Sequence, residues 1–269
     1  REAGDFLLVA QNQGGSGVYP FPAARGGSGG RPFDASEQLL RRWEAEGKMH
    51  EVVVNGWIVK DHGDGGLNFD NGLCGKAMIE LYEATQDTKY LESAKAAGAY
   101  AIAAPVVPNW NYNAFSVMLL ANLYRVTGDS QYLEAAKEKA RLGLYPGQLK
   151  TGPRQGRWVD PHNARPAYHY IIVLAWADLL SVMPETDPDY GRTKQVLEKA
   201  LLARNPEFAT KGVFTIEFAM EALVTLEMKM PASSGKLKDA GRTEALDVLN
   251  RCIASRVLEG KLPIAPSAL

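Results

Sequence analysis

Along the chain, fully apolar segments alternate with segments that are apolar on one side only. Residues 73–84 and 114–126 are largely apolar and have the length of α-helices. The segment after the first of them is amphipathic, because Leu91 and Ala94 share one face while Glu92 lies on the other. A helix that is apolar all round is buried, whereas an amphipathic helix keeps one face in water. The pattern therefore predicts helical hairpins, with the first helix in an inner layer and the second in an outer layer.

The first two hairpins repeat each other at a fixed spacing of 42 residues. The segment Leu81-Tyr-Glu-Ala-Thr-Gln-Asp matches Leu123-Tyr-Arg-Val-Thr-Gly-Asp, and the match continues into the second helix. The residues that pair at this spacing are Asn71 and Asn113, Tyr82 and Tyr124, Asp87 and Asp129, and Tyr90 and Tyr132. A constant period of this length is typical of stacked helical hairpins. Asp87, or the threonine after it, is expected to cap the second helix of its hairpin.

Two further hairpins follow with weaker identity. Tyr190 takes the place of Tyr132 but follows it by 58 residues, which is 16 more than the period. The extra residues are predicted to form an insertion at 145–160. The predicted helices of these hairpins are 167–182 with 189–203, and 214–228 with 242–258.

The first 70 residues are less regular. Helices are predicted at 1–13 and from Asp34 to about residue 43, and residues 51–60 read as a short strand or buried extended segment. Loops rich in glycine and proline separate these elements. We therefore expect irregular helices and loops at 1–70, followed by four hairpins at 71–258.

The hairpins resemble those of α/α-toroid proteins. The resemblance rests on Asn71-Gly-Leu-x-Gly-x-Ala, followed by Leu81-Tyr-Glu-Ala-Thr-x-Asp-x-Lys-Tyr-Leu, and it covers residues 71–258. Toroid proteins include six-hairpin glycosidases and several polysaccharide lyases. The resemblance implies an all-α fold, with residues 1–269 as a single toroid domain. The helices of four hairpins, together with two N-terminal helices, are fewer than the twelve helices of a usual toroid. The ring is therefore either incomplete or closed by the irregular N-terminal segment.

Composition and charge narrow the function by exclusion. The formal net charge is -1, and nucleic-acid binders usually carry a basic excess, so no nucleic-acid partner is expected. No apolar run approaches the ~18 residues that span a membrane, so no membrane partner is expected either. The chain begins at Arg1 without a methionine. Removal of a leader is compatible with that start, and it favours a secreted or periplasmic location.

Neither the cysteines nor the known motifs predict a cofactor or metal. Cys74 and Cys252 both lie inside helical patterns and are predicted to be buried free thiols, with one long-range disulfide as the alternative. The oxygen-rich loop 61–70 does not follow the EF-hand spacing. We therefore expect no cofactor and no metal ligand, with calcium in that loop as the alternative. The sequence predicts no particular oligomeric state.

Residues that precede the inner helices of a toroid meet at one rim of the ring, even when they are distant in sequence. At this rim the sequence places aromatic and amide side chains that suit a sugar, whose C–H faces lie on aromatic rings. The alternative is that the aromatic residues pack beneath long loops. The predicted substrate-binding residues of this set are Asn71, Trp110, Tyr112, Asn113, Trp158, Tyr168 and Tyr170.

The segment 156–170 concentrates the groups that β-elimination of a uronic acid requires. Asn163 and Arg165 could neutralise the substrate carboxylate, so that the neighbouring proton becomes acidic. His162 or His169 could remove that proton as the base, and Tyr168 could protonate the leaving oxygen. Such a grouping looks like those of toroid polysaccharide lyases. The alternative is structural, with Asp160 or Asn163 capping the helix and Arg165 paired with a carboxylate.

Two other functions remain open at the same rim. Glycoside hydrolysis needs a pair of carboxylates, for which Asp70 and Asp160 are the candidates, although Asp70 could equally be a helix cap. A toroid that has lost its chemistry would bind glycans without cleaving them. All three hypotheses share an oligo- or polysaccharide as the partner, with the lyase as the leading one.

Overall fold

A computed structural model describes residues 1–14, 17, 19, 45–46, 65–107, 109–159 and 166–203. Within these ranges every regular element is helical, and the only β-type pairing is an isolated bridge between Gln148 and Trp158. This confirms the all-α class. The predicted second helix, the segment 51–60 and the fourth hairpin lie outside the described residues. The helices are α1 (Glu2–Gly14), α2 (Gly65–Thr85), α3 (Thr88–Ala103), α4 (Trp110–Thr127), α5 (Ser130–Gly143), α6 (Pro166–Val182) and α7 (Tyr190–Leu202), with a 3-10 turn at Tyr145–Gly147.

The described helices form the two layers that the repeat predicts for an α/α toroid. The first helices of the hairpins (α2, α4 and α6) pack side by side, and each contacts the second helix of its own hairpin (α3, α5 and α7). Residues 113–123 of α4 and 169–180 of α6 are buried without interruption. The outer helices bury one face only; in α5 this face includes Leu133, Ala136 and Ala140. The apolar and amphipathic patterns thus sort the helices into an inner and an outer layer.

The three inner helices run parallel and in register. Near the start of α2, the Phe69 ring meets Phe115 of α4 edge-on, with 4.6 Å between the ring centroids. Farther along, Asn122 Nδ2 of α4 donates to Asp178 Oδ2 of α6 at 2.9 Å. The N-terminal ends of α2, α4 and α6 therefore lie at the same end of the helical layer, which we call the rim.

In the first two hairpins, a short motif ends the inner helix and starts the outer one. In the first hairpin the Thr85 hydroxyl donates to Leu81 O at 2.6 Å, Gln86 adopts a φ of 59°, and Asp87 caps α3 by accepting from Lys89 N at 3.1 Å. The second hairpin repeats these steps with its own Thr-Gly-Asp turn. The aspartate caps agree with the prediction, and the motif explains why this part of the repeat is so well preserved between the two hairpins.

Helix α2 begins at Gly65, earlier than the apolar pattern suggests. The asparagine, aspartate and glycine residues of its first turns are poor helix formers, so the sequence favours a loop there. Tertiary packing overrides that preference, because Asn68 and Asn71 are buried. Gly72 lets the two inner helices approach closely, since a Cβ atom at this position would lie 2.5 Å from Phe115 O.

The insertion between the second and third hairpins is held on the outer helix α7. Gln148 Nε2 donates to Val196 O at 2.9 Å, and the Arg157 guanidinium donates to Ala203 O at 3.1 Å. Gly156 has a φ of 86° and lies directly against the Lys199 carbonyl. These contacts end the insertion at a fixed place beside the start of the third hairpin.

Candidate functional site

An exposed apolar surface lies at the rim, on the first turns of α2 and α4. Phe69 is 36% exposed and Leu73, one turn later on the same face, is 48% exposed. The Tyr112 ring of α4 is partly exposed and tilted against Phe69, with 6.3 Å between the centroids. We call Phe69, Leu73 and Tyr112 the rim platform. Tyr112 was predicted from the sequence to line the site, whereas Phe69 and Leu73 were not, although their spacing of four residues is that of neighbours on one helix face.

Asn71 and Asn113, both predicted to contact substrate, lie in the protein interior. Each is 1% exposed. Asn71 Nδ2 donates to Ala97 O of the outer helix at 2.8 Å, and Asn113 Nδ2 donates to Gly143 O at 3.1 Å. Both amides thus hold an inner helix to the outer helix of its own hairpin, and in this arrangement neither is exposed at the surface.

Trp158, His169 and Tyr170 form a second buried group. Trp158 and His169 are both 0% exposed, and Trp158 Nε1 donates to Leu144 O at 3.0 Å. The His169 ring stands edge-on to Trp158 and Tyr170, with centroid distances of 5.5 and 5.1 Å. Its Nε2 atom lies 2.9 Å from Ala200 O on α7. These three side chains fill the space between α6, α7 and the insertion, so the predicted ligand contacts of Trp158 and Tyr170 and the predicted base role of His169 do not fit this placement.

Tyr168 and Trp110 are the other predicted aromatic residues at the rim that keep some exposure. Tyr168 is partly exposed, although the next residue along α6 is fully buried. Trp110 is also partly exposed and packs against the turn at Gly147, where a Cβ atom would lie 2.6 Å from Trp110 Cε2. With the rim platform, these two residues give each of the described inner helices (α2, α4 and α6) a partly exposed aromatic side chain in its first turns.

Two charged groups among the described residues at this end, Asp70 and Lys139, are buried. Asp70 is 9% exposed, and its charge adds to the burial that raises the pKa of Cys74 to about 12. Lys139, which sequence analysis did not single out, is 7% exposed and donates to Ala104 O at the C-terminal end of α3. Burial lowers the pKa of Lys139, partly offset by Glu138. The ammonium group lies at the negative end of the α3 dipole, which is a stabilising position for a cation.

Several predicted residues lie outside the described part of the chain. They are Asp160, His162, Asn163 and Arg165, together with residues 61–64 of the loop 61–70 that could hold calcium. Residues 65–70 of that predicted loop are helical and belong to α2. Among the described residues there is no group of three or more side chains suited to bind a metal ion. Cys74, the described cysteine, is a buried free thiol.

Comparisons with known proteins give one similarity, to a solved structure. No protein-family profile and no curated protein sequence matches the chain. A solved structure described as a polysaccharide lyase is similar with 16% identity and a TM-score of 0.44, over 67% of this chain and 64% of that chain. This chain therefore spans slightly less than two thirds of the length of that lyase. None of the helices that the structure describes is long and apolar enough to cross a membrane.

Proposed function

We propose that this protein is a carbohydrate-active enzyme, a polysaccharide lyase that cleaves a uronic-acid-containing glycan by β-elimination. The observation that carries the proposal is the partly exposed aromatic surface at the rim. Phe69, Tyr112 and Tyr168 come from three neighbouring helices and retain exposure, while most of the residues around them are buried.

A pyranose ring suits the rim platform. Exposed apolar side chains gathered at one place on a soluble protein commonly mark a ligand or partner surface. The C–H groups of a sugar ring can lie on Phe69 and Tyr112, while its hydroxyl groups remain available to polar side chains or water. A binding surface of this kind positions the polymer and leaves the chemistry to neighbouring residues.

The chemistry is assigned to the segment that leads into α6. Asn163 and Arg165 neutralise the uronate carboxylate, which increases the acidity of the C5 proton. His162 removes that proton, the electron pair forms the C4–C5 double bond, and the C4–O bond breaks. Tyr168 donates a proton to the departing oxygen. The products are an unsaturated uronate end and a new hydroxyl end.

Burial supports His162 over His169 as the base. His169 is 0% exposed and its Nε2 atom lies beside Ala200 O. A base must come within hydrogen-bond distance of the proton that it removes. His169 would have to leave its packing between two helices to do so, whereas Tyr168 already has exposed surface.

The test is an absorbance screen of the purified protein against pectin, alginate, glucuronan, ulvan and glycosaminoglycans, with reducing ends measured in the same wells. On the responsive polymer, His162→Ala and Tyr168→Phe should each lower kcat about 100-fold or more, the usual range for loss of acid–base catalysis. His169→Gln and Tyr170→Phe are the matched controls. They should retain kcat within a few-fold after correction for the folded fraction.

Other outcomes would contradict the proposal. Reducing ends without ultraviolet absorbance would favour hydrolysis, with Asp70 and Asp160 as the carboxylates to test. Binding without either product would favour a non-catalytic glycan-binding protein. Full activity in both His162→Ala and Tyr168→Phe would refute the assignment of base and acid even if elimination occurred.

A further inference from the structure

A second concave site lies between α5, α6 and α7, apart from the rim platform. It is a cavity of about 20 Å³ lined by side chains from all three helices and by Tyr145 of the 3-10 turn. A volume of this size accommodates about one water-sized group. The cavity can therefore receive one end of a small polar group rather than a whole sugar ring.

The charged side chains in the lining of the cavity are mostly cationic. Lys137, Arg141 and Arg192 are the cations, and Asp189 is the one carboxylate of the lining. Arg192 Nη1 lies 3.5 Å from Asp189 Oδ1. Lys137 Nζ is bound to two carboxylates outside the lining, Asp187 at 2.8 Å and Glu134 at 3.1 Å. Arg141 is exposed and has no carboxylate partner in the described part of the chain. The Arg141 guanidinium therefore remains available to a ligand.

One residue of the lining also carries a buried donor that lacks an acceptor. Trp176 is 3% exposed and lines the cavity, and its indole Nε1–H has no hydrogen-bond partner. A buried donor without a partner is unfavourable, and a bound acceptor would relieve it. The N-terminal end of α7 opens onto the same cavity, where the Asp189 side chain makes no capping hydrogen bond. The indole N–H needs an acceptor and a helix N-terminus favours an anion, so one negatively charged acceptor would satisfy both.

We infer that this cavity binds a carboxylate group of an acidic oligosaccharide. One carboxylate oxygen fits the small volume and can accept from Trp176 Nε1, while the second oxygen remains outside for the Arg141 guanidinium. Arginine recognises planar carboxylates well because its donors form a fork.

The inference rests on the proposed function for the identity of the ligand. If the substrate is a polymer of uronic acids, carboxylates recur along it, and a cavity away from the rim would hold a second part of the same chain. A polymer that occupies two weak sites on one protein at the same time binds more tightly than it would at either site alone. This cavity would then raise the affinity for long substrates without taking part in the elimination.

The experiment is a titration of the ¹⁵N-labelled full chain with trigalacturonate, observed at the tryptophan indole resonances. Trp176→Phe identifies the relevant signal. We expect that signal to shift in a saturable way, and Arg141→Gln to raise the Kd about tenfold, as for loss of one charge-assisted hydrogen bond. Lys95→Gln, which removes an equal charge from another outer helix, is the matched control and should change the Kd by less than twofold.

Three results would overturn the inference. These are an unchanged Trp176 signal at saturating trigalacturonate, an equal response to a neutral trisaccharide, and an equal response to sodium sulfate at the same ionic strength. The failure of the proposed function is separately visible. A shift at Trp176 without elimination on any polymer would leave the carboxylate site standing, whereas elimination without a shift would remove the site and keep the enzyme.

Discussion

Replacing Asn113 with alanine separates a structural role from a substrate-binding role. The side chain makes hydrogen bonds at both ends: Oδ1 accepts from Val107 N at 2.9 Å, and Nδ2 donates to Val107 O at 2.8 Å and Gly143 O at 3.1 Å. Gly143 is the last residue of α5, where the carbonyls of a helix have no intrahelical partners. Asn113 therefore ties the loop before α4 to the end of α5.

The expected loss of stability follows from the groups left unpaired. Alanine leaves the Val107 amide and the Gly143 carbonyl without these bonds, and each unpaired buried group costs about 1–3 kcal/mol. We expect the free energy of unfolding to fall by about 3 kcal/mol. For a protein of this size that corresponds to a decrease in Tm of about 6–12 °C.

Asn71→Ala is the matched control, because Asn71 is the repeat partner of Asn113 and is equally buried. Its Nδ2 bonds to Ala97 O inside α3, where the carbonyl lies within the regular helical hydrogen-bond pattern, so we expect a loss of about 1 kcal/mol. Urea and thermal unfolding of both variants would be measured, together with KM on the responsive polymer. An unchanged stability in Asn113→Ala with a raised KM would refute the structural account and restore the substrate-binding hypothesis.

Two further predictions concern the core and the insertion. In a Cys252→Ser background, Cys74 should resist thiol reagents at pH 8 until the protein unfolds, because burial and then Asp70 raise its pKa to about 12. The unfolded thiol ionises from about pH 9, whereas the native thiol stays protonated until about pH 12, so the free energy of unfolding should fall between these pH values. Urea unfolding should show a shallower decline in Cys74→Ala. Gly156→Ala should lower Tm and expose residues 149–159 to limited proteolysis, because its Cβ would lie 2.1 Å from Lys199 O at a φ of 86°. An unaltered digestion pattern would count against the insertion being anchored there.

The layers of the fold were predictable because the relevant signals are local. Helical periodicity distinguishes a helix buried all round from one with a wet face, and the Thr-x-Asp turn carries its own hydrogen bonds in both hairpins. The early start of α2 was not predictable in this way. Gly72 and Asn71 act through contacts with other helices. Such contacts cannot be inferred from the helix propensity of a single segment.

The candidate site was predictable only as a region. The residue types show that the rim is rich in aromatic and polar groups. They do not show which of these side chains the fold buries and which it leaves exposed. Trp158 is drawn into the core by an insertion whose docking on α7 depends on Gln148 and Arg157. Phe69 was missed for the converse reason, since an apolar residue in a helix start is usually core and here keeps more than a third of its surface exposed.

The position of a residue around the helix axis decides whether its side chain at the rim is buried in packing or exposed. Tyr168 and His169 are adjacent, yet successive residues of an α-helix point about 100° apart. That rotation is enough to bury His169 beside Ala200 while leaving Tyr168 partly exposed. The pair Tyr168→Phe and Tyr170→Phe therefore removes the same hydroxyl from two phases of one helix. If only Tyr168→Phe loses elimination activity, the residues that act on the substrate are those that the helix exposes at the rim. The abundance of tyrosine and histidine in the segment would then not be sufficient to identify them.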